Sequence, residues 1–192
     1  MTNKVWVLVG GLPGSGKTHL GAQIARSIGL FLDKDTLSRF FAEDLLTLLG
    51  RSPHDRESQI YTDRVRPKEY ETLQKVAQEN LELGHSTVCT APFLREFDDP
   101  HWREGIEVQA DLAGASLHYI WIDSDEDSIH ERLRKRGAAR DAWKLANWTT
   151  WWLQAAKGPP SLDGLLTVDN RVQAAGSTQK QLSSIMEKLS RV

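Results

Sequence analysis

Val5-Trp6-Val7-Leu8-Val9-Gly10-Gly11-Leu12-Pro13-Gly14-Ser15-Gly16-Lys17-Thr18 is the stretch that decides how this chain folds. Its first five residues form a short apolar run, the pattern of a parallel strand buried on both faces. Gly11 to Thr18 follow the order G-x-x-x-x-G-K-[ST], and from Lys17 to Ile28 the residues Leu20, Ala22, Ile24, Ala25 and Ile28 recur at helical spacing. Strand, glycine-rich loop and helix in that order make a phosphate-binding loop. The glycines let backbone N–H groups close round a polyphosphate, and the helix N-terminus adds its dipole. Gly11, Leu12, Pro13, Gly14, Ser15, Gly16, Lys17 and Thr18 are therefore read as nucleotide-binding. Lys17 is expected to reach the β- and γ-phosphates and the Thr18 hydroxyl to ligate Mg2+. His19 follows directly and is grouped with the loop, although on a regular helix its ring points away from the phosphates.

Outward from the loop, strands alternate with helices, which indicates an α/β fold with a mostly parallel sheet. Further strands are predicted at 30–33, 86–91, 116–123 and 165–169. Helices are predicted at 36–49, 68–83, 105–113, 127–136, 141–156 and 178–189. At 192 residues with 40% hydrophobic content the chain suits one domain spanning 1–192. The polar, aperiodic stretch 51–67 reads as an acceptor-side insertion, and 132–142 as a lid. The net charge of −2 provides no global basic field, which weighs against a nucleic-acid partner. The single cysteine, Cys89, falls in a strand-like run and reads as a core thiol. The first strand starts too early to leave room for a signal peptide, and no apolar stretch approaches the roughly 20 residues that cross a bilayer. The expected location is cytoplasmic.

Three classes share such a loop. A GTPase would carry N-K-x-D near its later strands, and that motif is missing. A motor-type ATPase wants an apolar strand ending in Asp-Glu, whereas Ile122-Asp123-Ser124 supplies only the Asp. A small phosphotransferase needs an acid near the second strand and a late arginine lid, and this chain has both. Leu32-Asp33-Lys34-Asp35-Thr36-Leu37 places two acids at the carboxyl end of the second strand, the edge where open α/β sheets hold ligands. A carboxylate there can take the proton of an attacking hydroxyl, and Asp35 is the candidate base. Asp35 also suits an N-terminal helix cap, and the two roles can coexist. Asp33 is a candidate near the metal.

Arg132, Arg136 and Arg140 follow a four-residue spacing that a helix would display as one stripe, with Arg134 and Lys135 among them. Guanidinium groups closing on a transferring phosphoryl group would stabilise its charge and exclude water. Lys17, Asp35, Arg132, Arg136 and Arg140 are thus the candidate catalytic residues. Arg39, one turn beyond Asp35, together with Arg56, Arg64 and Arg66 of the insertion, are candidates for holding an anionic acceptor beside Asp35. Trp143, Trp148, Trp151 and Trp152 crowd the segment after the lid, either packing it onto the core or offering a stacking surface.

The loop, the Asp35-Thr36-Leu37 helix start and the late arginines together resemble the nucleoside-monophosphate-kinase-like branch of phosphate-loop kinases. The small hydroxyl-acceptor types resemble it most: chloramphenicol phosphotransferase, zeta-toxin and polynucleotide 5′-kinase. The resemblance covers residues 1–40 and 117–140. It implies a five-stranded parallel sheet in the order 2-3-1-4-5 with helices on both faces. It implies Asp35 as general base, and lid arginines at Arg132, Arg136 and Arg140. It also implies an adenine site between the lid and the loop after the last strand, which brings in Asn170 and Arg171. With the missing guanine motif it points to ATP, used with Mg2+. Many such kinases end the third strand with an acid that holds the metal shell, whereas here the run is Val88-Cys89-Thr90-Ala91-Pro92. The reading is an ATP- and Mg2+-dependent phosphotransferase acting on a small-molecule hydroxyl. Its alternatives are a polynucleotide 5′-hydroxyl kinase and a regulatory ATPase without such an acceptor.

Overall fold

A computed structural model of the protein describes residues 4–190, the side chains of 175–177 and 190 excepted. The ends of the expected domain, 1–3 and 191–192, lie outside the described residues. The apolar run at the start forms β1 (Lys4–Gly11), which is buried along nearly its whole length. It is the middle strand of a five-stranded, all-parallel sheet ordered β2-β3-β1-β4-β5. The other strands are β2 (Leu30–Asp33), β3 (Thr87–Thr90), β4 (Ala115–Asp123) and β5 (Leu166–Asp169). The sheet order is therefore the expected one. The register pairs Val9 with Thr90 and with Ile120, and Asp33 with Thr90. The ends of β1, β2 and β3 are thus level.

Side chains alternate across the sheet with the strand period of two. Trp6, Leu8, Cys89, Tyr119 and Trp121 face one layer, built from α3 (Arg66–Glu82) and α4 (Pro100–Ala113). Val5, Val7, Val9, Val88, Ile120, Ile122 and Val168 face the other, where α1 (Lys17–Ile28) and α8 (Ala175–Ser190) pack. The Cys89 thiol sits inside the first layer, and burial pushes its pKa up to about 12, so it stays protonated. Leu73 on α3 is 1% exposed within that layer. Leu73→Ala is expected to lower unfolding stability by about 2–5 kcal/mol, since it leaves a cavity as well as losing apolar burial. Urea denaturation measures it, and a loss below about 1 kcal/mol would mean that the neighbouring side chains close the gap.

Several boundaries differ from the expected ones. The helix after β2, α2 (Lys34–Leu48), begins at Lys34 because Asp33, rather than Asp35, caps it: Asp33 Oδ1 accepts from Thr36 N at 3.0 Å. α3 is preceded by a wide π-helical turn at Tyr61–Val65, so the insertion is partly helical. α5 (Glu126–Arg136) ends at Gly137, which adopts φ 60°, and Arg140 lies on a separate 3-10 turn, Ala139–Asp141. The expected helical stripe of Arg132, Arg136 and Arg140 is thus broken after Arg136. The expected helix 141–156 is two, α6 (Ala142–Ala146) and α7 (Trp148–Ala155), interrupted at Asn147. Among the described residues no helix is long and apolar enough to cross a membrane.

Candidate phosphoryl-transfer site

The phosphate-binding loop leaves the carboxyl end of β1 in a conformation that glycine makes accessible. Gly14 and Gly16 have φ of 84° and 96°. A Cβ on Gly16 would run into Asn170 Nδ2, so a side chain there would have to displace that amide as well as take a positive φ. Asn170, in the loop after β5, donates from Nδ2 to Ser15 O at 2.7 Å and braces the turn from behind. Ser15 Oγ is buried and has no hydrogen-bond partner among the described residues. An orphaned hydroxyl inside a ring of glycine amides is the kind of polar atom that a bound phosphate satisfies.

Lys17 opens α1, and its Nζ rests on Leu12 O at 3.3 Å. Burial lowers its pKa to about 8, against the opposing pull of Asp35 and Asp33. Thr18 Oγ1 donates to Asp33 Oδ2 at 3.2 Å, and the same oxygen accepts from Thr90 Oγ1 at 2.7 Å. Two hydroxyls and one carboxylate therefore meet at the level ends of three strands. Asp33 thus stands against Thr90, the last residue of β3, where the sequence carries no acid.

Beside the loop lies a cavity of about 180 Å³ whose wall includes Lys17, Lys34, Asp35, Arg56, Tyr61, Arg66, Arg136, Arg140 and Lys144. Asp35 meets Lys34 Nζ at 3.0 Å and Arg140 Nη1 at 2.9 Å. Burial would raise its pKa, but the charges of Lys34, Arg140 and Lys17 outweigh it and hold the carboxyl well below the usual range. Lys34 is buried and also bridges to Glu69 Oε2 at 3.0 Å. Tyr61 donates its hydroxyl to the same Glu69 oxygen at 2.7 Å. Arg66 pairs with Glu96 at 2.7 Å and lies over the Tyr70 ring. Phe93, buried just after β3, takes a positive φ of 50° with its N–H donating to Tyr70 Oη at 3.2 Å. That turn sets Pro92 and Leu94 in the cavity wall.

The three late arginines are placed differently from one another. Arg132 is tied back to the loop by Gly14 O, Ser124 Oγ and Asn170 O. Arg136 lines the cavity and is held by Asp141 at 2.6 Å. Arg140 reaches the cavity from its 3-10 turn. Lys144, on α6, bridges to Glu57 in the stretch between α2 and α3. Trp148, Trp151 and Trp152 contact one another at 5.1–6.2 Å and pack with Leu12, Ile129 and Leu133. These three rings seat α7 against α5 and the phosphate-binding loop, and Trp151 also lines the cavity. Trp143 is 46% exposed and stands apart.

Arg132, a catalytic candidate by its spacing, is spent on its loop contacts and does not line the cavity, and four further candidates are exposed away from it. Arg39 is exposed, with its guanidinium over the Phe40 ring, and Arg64 is exposed on the π-helical turn. His19 is exposed and hydrogen-bonded to Gln23. Arg171 is exposed and paired with Asp169. Conversely, Lys34, Glu57, Tyr61, Glu69, Glu96, Asp141 and Lys144 shape the site but follow no motif. A lysine between two acids at a strand end was the only local hint, at Lys34.

The model of the AAA domain family matches residues 6–156, most of the chain. The chain belongs to that family. No curated protein matches it by sequence. Among solved structures, this AAA domain resembles a kinase, provisionally so described, from Chloroflexus aurantiacus, at 22% identity over 99% of this chain and 98% of that one, with TM-score 0.69. It also resembles a gluconokinase from Sinorhizobium meliloti 1021, at 17% identity over 97% and 94%, TM-score 0.61. A third similar structure is the APS kinase of Mycobacterium tuberculosis in complex with AMPPNP and APS, at 18% identity over 95% and 98%, TM-score 0.56. At these identities the likeness establishes a shared phosphate-loop kinase fold.

Proposed function

We propose that the protein transfers the γ-phosphoryl group of ATP to a hydroxyl of a small-molecule acceptor. The observation that carries this reading is that Lys17, at the end of the phosphate-binding loop, and Asp35, at the start of the helix after the next strand, line one cavity. The kinase names borne by structures that share the fold support the same class.

In this mechanism the loop amides and Lys17 hold the β- and γ-phosphates, and Asn170 keeps the loop in register. Asp33 and Thr18 offer oxygen donors of the kind Mg2+ takes, and with a single carboxylate they suit an ion that keeps waters and phosphate oxygens in its shell. Bound there, Mg2+ would neutralise charge across the β- and γ-oxygens. Asp35 orients the acceptor hydroxyl and takes its proton. Because neighbouring cations hold Asp35 ionised, it is a weak base that acts as the new P–O bond forms, in keeping with a loose transition state. Arg140, now on Asp35, and Arg136, now on Asp141, are placed to exchange those carboxylates for phosphoryl oxygens. The segment 132–142 then acts as a lid, and the Lys144–Glu57 bridge just beyond its end ties that part of the chain to the insertion 51–67.

The decisive experiment is a screen of hydroxyl-bearing metabolites for ATP consumption with identification of the phosphorylated product. Consumption that no hydroxyl compound accelerates would remove the reading. A pH prediction follows from Lys17. Below about 8 its ammonium is charged, and above that it loses its proton and its attraction for the triphosphate. ATP affinity is therefore expected to fall as pH rises through about 8, with proton uptake on binding near that pH. Calorimetry in buffers of different ionisation enthalpy measures both effects. Affinity that is flat from pH 7 to 9 would contradict the assignment.

A further inference from the structure

We propose that Arg56 anchors one anionic group on the acceptor, a carboxylate, phosphate or sulfate; the word acceptor rests on the phosphotransferase reading above. The argument is a balance of charge in the cavity wall. Lys34, Arg66, Arg136, Arg140 and Lys144 are matched by Asp35, Glu69, Glu96, Asp141 and Glu57 in short ion pairs. Two lining cations have no carboxylate partner among the described residues: Lys17 and Arg56. Lys17 serves the triphosphate. Arg56 is flanked in sequence by Asp55 and Glu57, yet those carboxylates are engaged by Arg51 and Lys144.

Arg56 is also held ready. Its Nη1 donates to Pro53 O and to Asp55 O, both at 3.0 Å, and the guanidinium lies over the Tyr61 ring at 5.2 Å. That leaves Nε and Nη2, the edge that receives a carboxylate or phosphate in two parallel hydrogen bonds. A half-buried guanidinium without a counter-charge is costly, and an incoming anion removes that cost. Arg56 stands in the wall shared with a second, outer cavity of about 690 Å³, along with Glu57 and Arg140. The acceptor therefore places its hydroxyl at Asp35 and its anion at this neck, with the remainder extending outward toward Trp143.

Paired acceptors test this. Glycerol is compared with glycerate and glycerol 3-phosphate, and a hexose with its aldonic acid and its 6-phosphate, each offered with ATP and Mg2+. Turnover is expected with charged members only, and preference for the acid or the ester identifies the anion. Arg56→Gln should raise KM for the accepted anion about tenfold or more with a much smaller change in kcat, and Arg56→Lys should recover part of the loss. If melting curves show R56Q misfolded, R56K carries the KM comparison. Neutral alcohols turned over as well as their charged partners, or an unaltered KM, would overturn the proposal. If no alcohol yields a phosphorylated product, it is the phosphotransferase reading that fails. Titration with glycerate, glycerol 3-phosphate and inorganic sulfate beside a non-hydrolysable ATP analogue then judges Arg56 separately: binding lost in R56Q supports the anchor, and equal binding removes it.

Discussion

Asp35→Asn is expected to lower kcat by about 10²- to 10⁴-fold while ATP still binds, the range that loss of a positioned general base produces. The isosteric amide keeps the volume of the side chain, but its single oxygen can accept from Lys34 or from Arg140 and not from both, so one of the two contacts is lost. What disappears is the carboxylate proposed to accept the proton. Removing a negative charge beside Lys17 and Arg140 also makes the phosphate side more positive, so ATP affinity should hold or rise. That sign separates the substitution from a general disruption of the site, which would weaken binding and turnover together. Steady-state kinetics with calorimetric ATP binding provides both numbers. A kcat within about fivefold of the parent would assign the proton to another group.

Lys17→Met is expected to have the opposite signature. In the proposed mechanism Lys17 holds the β- and γ-phosphates, so with its ammonium removed ATP affinity and kcat should both fall, kcat/KM by about 10³-fold or more. Stability should move the other way. The ammonium is desolvated enough to lower its pKa to about 8, and its one hydrogen-bond acceptor is Leu12 O. A thioether of similar length fits the same space without that cost, so the melting temperature should stay level or rise. A Lys17→Met protein with lowered melting temperature and intact ATP affinity would mean that this lysine serves the fold rather than the ligand.

How much of the site was legible depended on how far apart its parts lie in the chain. Strand, loop and helix from Val5 to Ile28 are contiguous, and their glycine spacing and apolar period report local backbone demands. The two acids at the carboxyl end of the second strand were legible for the same reason, although Asp33 and not Asp35 caps the helix there. The arginine candidates were not sorted by sequence. Arg39 shares a helix with Asp35 but is exposed over Phe40, whereas Arg56 lies in an aperiodic stretch and reaches the cavity. Spacing identifies a face of a helix; it says nothing of what a turn between helices brings inward. Arg136 and Arg140 both reach the wall, but only because Gly137 ends the helix between them.

Sequence alone therefore determined the phosphate-binding loop, the central buried strand and the acid after the second strand, because each is a short-range pattern imposed by backbone geometry and burial. Tertiary structure alone decided which charges neutralise one another. Lys34 finds Glu69 on α3, Arg66 finds Glu96 and Lys144 finds Glu57 across long stretches of chain, and whether a cation is spent on a neighbour or left for a ligand is settled by those meetings in space.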